Sequence, residues 1–214
     1  MKIGRWVTGF LGAVLLVSPL TAWEAPKKEV VPEVDKSVKD VRWEGVADID
    51  MLKQVRADID AARRDKDVKT LRVALLSPGG PAVTALEIAR LTRQASTKGL
   101  VMELHAEALC ASACTLILAA GTPGKRFVAD STLMLVHPLQ QGSGWGAATC
   151  VKYVHDPKTE SDKVGNAVMD LFRDAYVRYT ARPAAEVEQW LTCDNEQAGG
   201  GELAVKLGMA DKVE

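Results

Sequence analysis

Apolar, strand-like runs alternate with segments of helical periodicity through most of this 214-residue chain. The strand-like runs fall at 71–76, 100–104 and 132–136, and helical spacing of apolar residues covers 48–64 and 82–96. Strands that alternate with helices and are themselves largely apolar are typical of a parallel sheet covered by helices. The pattern therefore predicts an α/β fold built from repeated β-α units, with a mostly parallel sheet.

One of these units contains a corner made of small residues. The apolar run that starts at 100 leads to Ala111-Ser112-Ala113, and a second apolar run, predicted to be helical, continues to Gly121. A serine where a strand passes into a helix holds its hydroxyl beside free backbone N–H groups, which suits a nucleophile. Serine is also a preferred N-cap residue, so a purely structural role for Ser112 is the alternative.

Two further motifs follow strand-like runs. The run 71–76 ends in Ser77-Pro78-Gly79-Gly80, where glycines leave backbone N–H groups unshielded, so this segment is a candidate oxyanion loop. The run 132–136 ends in His137-Pro138, so His137 is a candidate general base. Because the carboxyl ends of parallel strands meet at one edge of a sheet, we expect both motifs to lie near Ser112.

These segments resemble the proteolytic subunits of the Clp proteases, within the wider Clp/crotonase superfamily. The similarity is greatest to predicted periplasmic members in which cysteines flank the serine. The resemblance covers residues 38–214 and implies the Clp protease/crotonase fold and a serine peptidase that acts on peptides. The matching motifs, in the order of the family, are at 77–80, 111–113 with 118–121, 124–127, 136–138 and 202–211.

The resemblance also implies roles for single residues. Ser112 would be the nucleophile and His137 the base, while the backbone N–H groups of Gly80 and Ala113 would form the oxyanion hole. An alignment without gaps, counted back from the motif that ends at Asp211, places Glu196 where the family has its catalytic aspartate. Asp194, two residues away, is the second candidate for this third position.

Other functions fit parts of the sequence. A crotonase-like enzyme of acyl-thioesters and a catalytically inactive scaffold or binding module would both keep the fold. A Ser–Lys dyad could use Lys125 or Lys163, although a histidine at the family position argues against it. For His105 and His155 we expect structural or surface roles. A metal site made of Cys110, Cys114, His105 and His137 is disfavoured, because C-x-x-x-C does not match the usual zinc spacings.

The N-terminal segment has the build of an export signal. Lys2 and Arg5 precede an apolar run over residues 6–20, and small residues follow up to Ala22. We expect a signal peptide at 1–22, or an uncleaved membrane anchor over 6–20, then a linker at 23–37 and one domain at 38–214. The protein is accordingly predicted to be periplasmic or secreted.

Four cysteines in an exported domain favour disulfide bonds, and three pairings are possible. We favour Cys110 with Cys114, across the serine corner, and Cys150 with Cys193, which would join the loop after the histidine to the segment with the candidate acids. The alternative is that the first two cysteines are small buried hydrophobic residues.

Composition limits the partners. The chain has 27 Lys+Arg against 28 Asp+Glu, so it has no electrostatic preference for nucleic acid or an anionic membrane. It contains no phosphate-binding motif, and we expect neither a cofactor nor an ATPase partner.

Residues 140–146 would wall a groove for an extended ligand. A long helix is predicted at 158–180, where the family has a handle between subunits, so a homo-oligomer is expected unless this helix packs on its own sheet.

Overall fold

A computed structural model describes residues 35–142 and 149–214 of the chain. The predicted signal peptide or anchor, most of the linker and part of the glycine-rich segment after His137 lie outside the described residues. The elements, in order, are β1 (Val38–Glu44), α1 (Ile49–Arg64), β2 (Thr70–Ser77), α2 (Ala82–Thr97), β3 (Val101–Ala111), α3 (Ala113–Ala119), β4 (Arg126–Val128), β5 (Leu133–Val136), β6 (Gln140–Gln141), β7 (Thr149–Cys150), α4 (Glu160–Thr180), α5 (Ala184–Trp190), β8 (Gln197–Gly199), α6 (Gly201–Lys206) and β9 (Lys212–Val213).

The sheet formed by these residues is mostly parallel, as predicted. Strands β1, β2 and β3 pair in parallel, and β4 carries β9 in parallel at the far edge. The long strand β3 forks, because its first half pairs with β4 and its second half with β5. Only β8 runs antiparallel within this sheet, against β5, while β6 and β7 form a separate hairpin.

Burial along β2 explains how the core is built. Leu71, Val73 and Leu75 are fully buried, whereas Arg72 on the opposite face is exposed. Helix α1 contributes buried side chains to the same core at helical spacing, including Val55 and Ile59. Buried side chains therefore alternate along the strand and recur about every 3.6 residues along the helix, as the apolar pattern of the sequence predicts.

The outward face of the strands carries charges. Glu103 on β3 accepts hydrogen bonds from Arg72 Nε at 2.7 Å and from Lys125 Nζ at 3.2 Å. His105 lies between Glu103 and Glu214, with ring nitrogens 3.2 and 2.9 Å from their carboxylate oxygens. The strand-like run at 100–104 would end just before His105, but β3 continues to Ala111 by pairing with both β2 and β5, so His105 lies within the strand.

Helix α4 lies in a different rotation from the predicted one. Its N-terminus has a capping box formed by Thr159 and Asp162. The helical spacing of apolar residues from Val164 to Tyr179 predicts one inward face, but Val164 and Leu171 on that face are 61% and 57% exposed, while Tyr179 is buried. Phe172 and Tyr176, on the neighbouring face, are buried as well. The bulkier aromatic side chains therefore take the core positions.

Within residues 35–142 and 149–214, no helix is long and apolar enough to cross a membrane.

Both favoured cysteine pairings are confirmed. Cys110 bonds to Cys114 with 5.2 Å between the Cα atoms, and Cys150 bonds to Cys193 with 5.7 Å. The first bridge joins the end of β3 to the start of α3 and is fully buried. The second joins β7 to the segment before β8.

Arg126 at the start of β4 connects several helix ends. Its side chain is buried, and its guanidinium forms a two-pronged ion pair with Asp211. The same group also donates to the carbonyls of Tyr179 at 3.1 Å and Gly208 at 2.9 Å, near the ends of α4 and α6. Two of the motifs behind the family resemblance, at 124–127 and 202–211, thus meet in a structural contact.

Candidate active site

Ser112 lies at the turn between β3 and α3 in a strained conformation. Its φ is +56° and its ψ is −130°, a region that residues with a side chain rarely adopt. Its hydroxyl makes no hydrogen bond to the N-terminus of α3, so Ser112 does not cap this helix with its side chain. Its backbone is held instead, because its N–H donates to the carbonyl of Leu135 on β5 at 2.7 Å.

The glycine loop after β2 packs directly against this turn. Gly79 has φ +94°, and a Cβ added there would lie 2.6 Å from the Cβ of Ser112 and 3.0 Å from the nitrogen of Ala113. The Gly79 N–H donates to Ser77 Oγ at 3.1 Å, and its carbonyl accepts from the Ala47 N–H at 2.8 Å. Only glycine fits this position, which explains why the loop can approach the serine so closely.

The two candidate oxyanion donors line the same cavity. Gly80 follows the tight contact at Gly79, and Ala113 is the first residue of α3. Among the described residues, no backbone carbonyl accepts a hydrogen bond from the N–H of either one. Within the described residues, both N–H groups are thus left without a backbone acceptor.

His137 directly follows β5 and is half-buried. Its Nδ1 lies 2.7 Å from the carbonyl oxygen of Pro138. Because a carbonyl only accepts hydrogen bonds, Nδ1 carries a hydrogen, and Nε2 of the neutral imidazole is then an acceptor. The hydrogen bond from Ser112 to Leu135 ties the serine turn to β5, two residues before His137 in the chain.

Ser112 and His137 both line a cavity of about 450 Å³. A second cavity of about 660 Å³ shares Ala82, Leu139 and Gln140 with it and extends to the first turns of α4. The shared residues show that the two cavities adjoin each other on the side of the serine turn. The other residues around the first cavity are Pro78, Gly80, Pro81, Ala113, Pro138, Gly142, Phe172, Tyr176 and Leu191.

The structure places Glu196 beside the end of β5. Gln197, the first residue of β8, pairs with Val136 in the antiparallel register, so the preceding Glu196 is the next position opposite His137. Its side chain is exposed and forms no hydrogen bond to His137 among the described residues. Asp194 lies on a different cavity, of about 650 Å³, together with Cys193.

The groups named for alternative mechanisms are engaged elsewhere. Lys125 binds Glu103 on the charged face of the sheet, and Lys163 binds Glu160 one turn earlier on α4. His155 is exposed and lies edge-on to Tyr153. Within the described parts of the chain, no group of three or more His, Cys, Asp or Glu side chains could hold a metal ion.

Sequence reasoning missed two hydroxyl groups behind the serine. Thr115 Oγ1 donates to the Ser112 carbonyl at 2.7 Å and lies 2.7 Å from the phenol oxygen of Tyr176. Both side chains are buried. No local signal in the sequence connects these positions, which are 61 residues apart and meet only because α4 packs on α3.

A mostly parallel α/β sheet carries a strained serine at a strand-to-helix turn, a histidine at the next strand end and a glycine loop beside the serine, an arrangement that also occurs in serine hydrolases. Residues 39–214 match the Clp protease family, and the chain therefore belongs to this family. No curated protein sequence matches the chain. The family membership confirms the Clp protease-like fold and supports peptide hydrolysis as the activity.

Proposed function

We propose that this protein is an exported serine peptidase of the Clp type that hydrolyses bonds in extended peptide segments. The observation that carries the proposal is the strained turn at Ser112, with its hydroxyl free of the helix, on the same cavity as His137. An N-cap serine would use its hydroxyl to satisfy the helix N-terminus and would have no need of a strained backbone.

The proposed chemistry follows from the positions of the groups. His137 Nε2 takes the proton from Ser112 Oγ as this oxygen attacks the substrate carbonyl, and returns it to the leaving amine. Water then attacks the acyl-enzyme. His137 takes a proton from this water and returns it to Ser112 Oγ as the acyl group leaves the serine. The N–H groups of Gly80 and Ala113 hold the oxyanion, and each such donor contributes about 3 to 4 kcal/mol to transition-state stabilisation in related sites.

Glu196 is our proposed third member. The strand register, extended by one residue beyond β8, supports a place opposite His137. A carboxylate there would stabilise the imidazolium that forms during attack, which the Pro138 carbonyl does less well because it has no net charge.

Export is supported by the paired cysteines, since disulfide bonds persist in oxidising compartments. We propose a periplasmic or secreted location, a peptide or protein substrate and self-association through α4. Its exposed Val164 and Leu171 are two apolar side chains that a second copy of the chain could cover. No ATPase partner is proposed.

Labelling by a fluorophosphonate probe tests the nucleophile without knowledge of the substrate. We expect the wild-type protein to be labelled and Ser112→Ala to remain unlabelled. His137→Ala should slow labelling strongly, because the base that takes the proton from Ser112 Oγ is then missing. A folded wild-type protein that the probe does not acylate would favour the scaffold or the crotonase-like alternative.

The same probe separates the two candidate acids. Glu196→Gln should keep the fold and lower the acylation rate, since an amide cannot stabilise the imidazolium, and Glu196→Asp should retain or raise it. Asp194→Asn is the matched control, with an identical chemical change two residues away. Equal rates in Glu196→Gln and the wild type would remove Glu196 from the site. A slower rate in Asp194→Asn would then assign Asp194 to it, whereas equal rates in all variants would leave a Ser–His dyad oriented by the Pro138 carbonyl.

A further inference from the structure

A pair of buried hydroxyl groups lies behind the serine turn and has no part in the mechanism given above. Thr115 on α3 is fully buried, and Tyr176 on α4 is 3% exposed. Thr115 Oγ1 lies 2.7 Å from the Ser112 carbonyl oxygen and 2.7 Å from Tyr176 Oη. The three groups form a continuous chain of hydrogen bonds from α4 to the backbone of Ser112.

The direction of these hydrogen bonds is determined by chemistry. A carbonyl oxygen only accepts, so the single hydrogen of the Thr115 hydroxyl is donated to Ser112. The Tyr176 hydroxyl must then donate to Thr115 Oγ1. Burial raises the pKa of Tyr176 to about 12, so the phenol carries its proton at neutral pH. The chain is complete and fully protonated under ordinary conditions.

The accepting carbonyl belongs to the peptide unit that also contains the Ala113 N–H. A trans peptide is planar, and its C=O and N–H point in opposite directions. The Ser112 carbonyl is held by Thr115 Oγ1 and by the Thr115 N–H at 3.0 Å, on the helix side of the turn. Fixing this carbonyl therefore fixes the direction of the N–H of Ala113, a residue that lines the cavity.

We propose that Thr115 and Tyr176 are positioning residues that orient the Ala113 N–H toward the developing oxyanion. The inference rests on the proposed function, because it requires Ser112 to be the nucleophile and Ala113 to be an oxyanion donor. It adds α4 to the elements that build the site. The hydroxyl of Tyr176 has this role, and the residue also lines the cavity.

The ring of Tyr176 is held independently of its hydroxyl, which makes a clean substitution available. Its centroid lies 6.0 Å from that of Trp190 in an edge-on contact and 6.2 Å from that of Phe172. Tyr176→Phe keeps these contacts and removes only the oxygen. Thr115→Val removes the hydroxyl at nearly constant volume, and Thr115→Ser keeps the hydroxyl but removes the methyl group.

The experiment measures the second-order rate constant of acylation by a fluorophosphonate probe, together with the thermal midpoint of each variant. We expect Thr115→Val and Tyr176→Phe to lower the rate constant by about fivefold to tenfold, the equivalent of one hydrogen bond. Thr115→Ser should restore a rate near that of the wild type. The Thr115→Val/Tyr176→Phe double variant should lose little more than Thr115→Val, since both changes interrupt one chain of bonds.

Thr92→Val is the matched control for loss of a buried hydroxyl. Thr92 is fully buried on α2 and donates to the Ile88 carbonyl at 2.9 Å, away from the serine turn. It should lower the thermal midpoint as Thr115→Val does, yet leave acylation unchanged. An equal loss of acylation in Thr92→Val would show that general destabilisation is sufficient and would overturn the proposal.

Two further outcomes would overturn it. One is wild-type acylation in both Thr115→Val and Tyr176→Phe, and the other is a loss in Thr115→Ser as large as in Thr115→Val, which would assign the effect to the methyl group. Failure of the proposed function is distinguishable, because the probe would then label wild-type protein and Ser112→Ala alike, or neither. If Thr115→Val does not fold, Tyr176→Phe still decides between the outcomes.

Discussion

The contact between Gly79 and the serine turn allows a substitution whose effect can be worked out from distances. In Gly79→Ala the new Cβ would lie 2.6 Å from Ser112 Cβ, whereas ordinary contact begins at 3.4 Å. The two segments must therefore separate by about 0.8 Å, the difference between these distances. A displacement of about 1 Å at a catalytic group lowers the rate by about 100-fold. We expect a loss of acylation of this order.

Gly99→Ala is the matched control for the backbone cost. Gly99 has φ +92°, nearly the +94° of Gly79, but a Cβ added there meets no atom within 4 Å. Both substitutions place a side chain in a sparsely populated backbone region, at a cost of about 1 to 3 kcal/mol. Gly79→Ala adds an overpacking cost of about 1 to 3 kcal/mol, while Gly99→Ala does not.

The assay pairs denaturant unfolding with fluorophosphonate acylation of both variants under conditions where each is folded. Gly99→Ala should be destabilised and acylate at the wild-type rate. Gly79→Ala should be destabilised further and acylate about 100-fold more slowly. If the two variants acylate at the same rate, the close packing at Gly79 does not position the nucleophile, and the reasoning is refuted.

Two predictions concern stability. Burial alone would raise the pKa of Glu103, but hydrogen bonds from Arg72, His105 and Lys125 outweigh it and lower the pKa from 4.5 to about 2. Glu103→Gln should therefore lower the free energy of unfolding by about 2 kcal/mol at pH 7, allowing for solvent screening of the half-exposed partners. The difference from the wild type should vanish as the pH falls from about 4.5 toward 2, and a difference that does not change with pH would contradict this. Arg126→Met leaves Asp211 as an uncompensated, largely buried charge and should lower the free energy of unfolding by about 3 to 5 kcal/mol in denaturant unfolding. The losses of the two single variants should be strongly non-additive in the Arg126→Met/Asp211→Asn double variant, whereas simple additivity would show that the pair is not coupled.

The sequence predicted the parts of the site that depend on local chain geometry. Ser112 at a strand-to-helix corner, His137 at a strand end and the glycines at Gly79 and Gly80 are each recognisable from a few neighbouring residues. Parallel pairing then requires the strand ends to share one edge, so their convergence on one cavity also followed. The favoured cysteine pairing also depended on local position, since Cys110 and Cys114 flank the serine corner and the other two cysteines then remain for each other.

Rotation of long helices and contacts between distant segments depended on packing instead. The apolar residues of α4 are compatible with more than one buried face. In the folded protein Phe172 and Tyr176 are buried and Val164 is exposed. This packing also brought Tyr176 to Thr115, a contact with no sequence signal.

The sequence by itself therefore determined the order of the elements and the local backbone demands at the serine corner and the glycine loop, because sterics and periodicity act over a few residues. The tertiary structure alone decided that Arg126 would donate to carbonyls near the ends of α4 and α6, and that Glu196, just before β8, would lie opposite the residue after β5 in the antiparallel register. These contacts join residues far apart in the chain, and their formation depends on how the whole core closes rather than on any local preference.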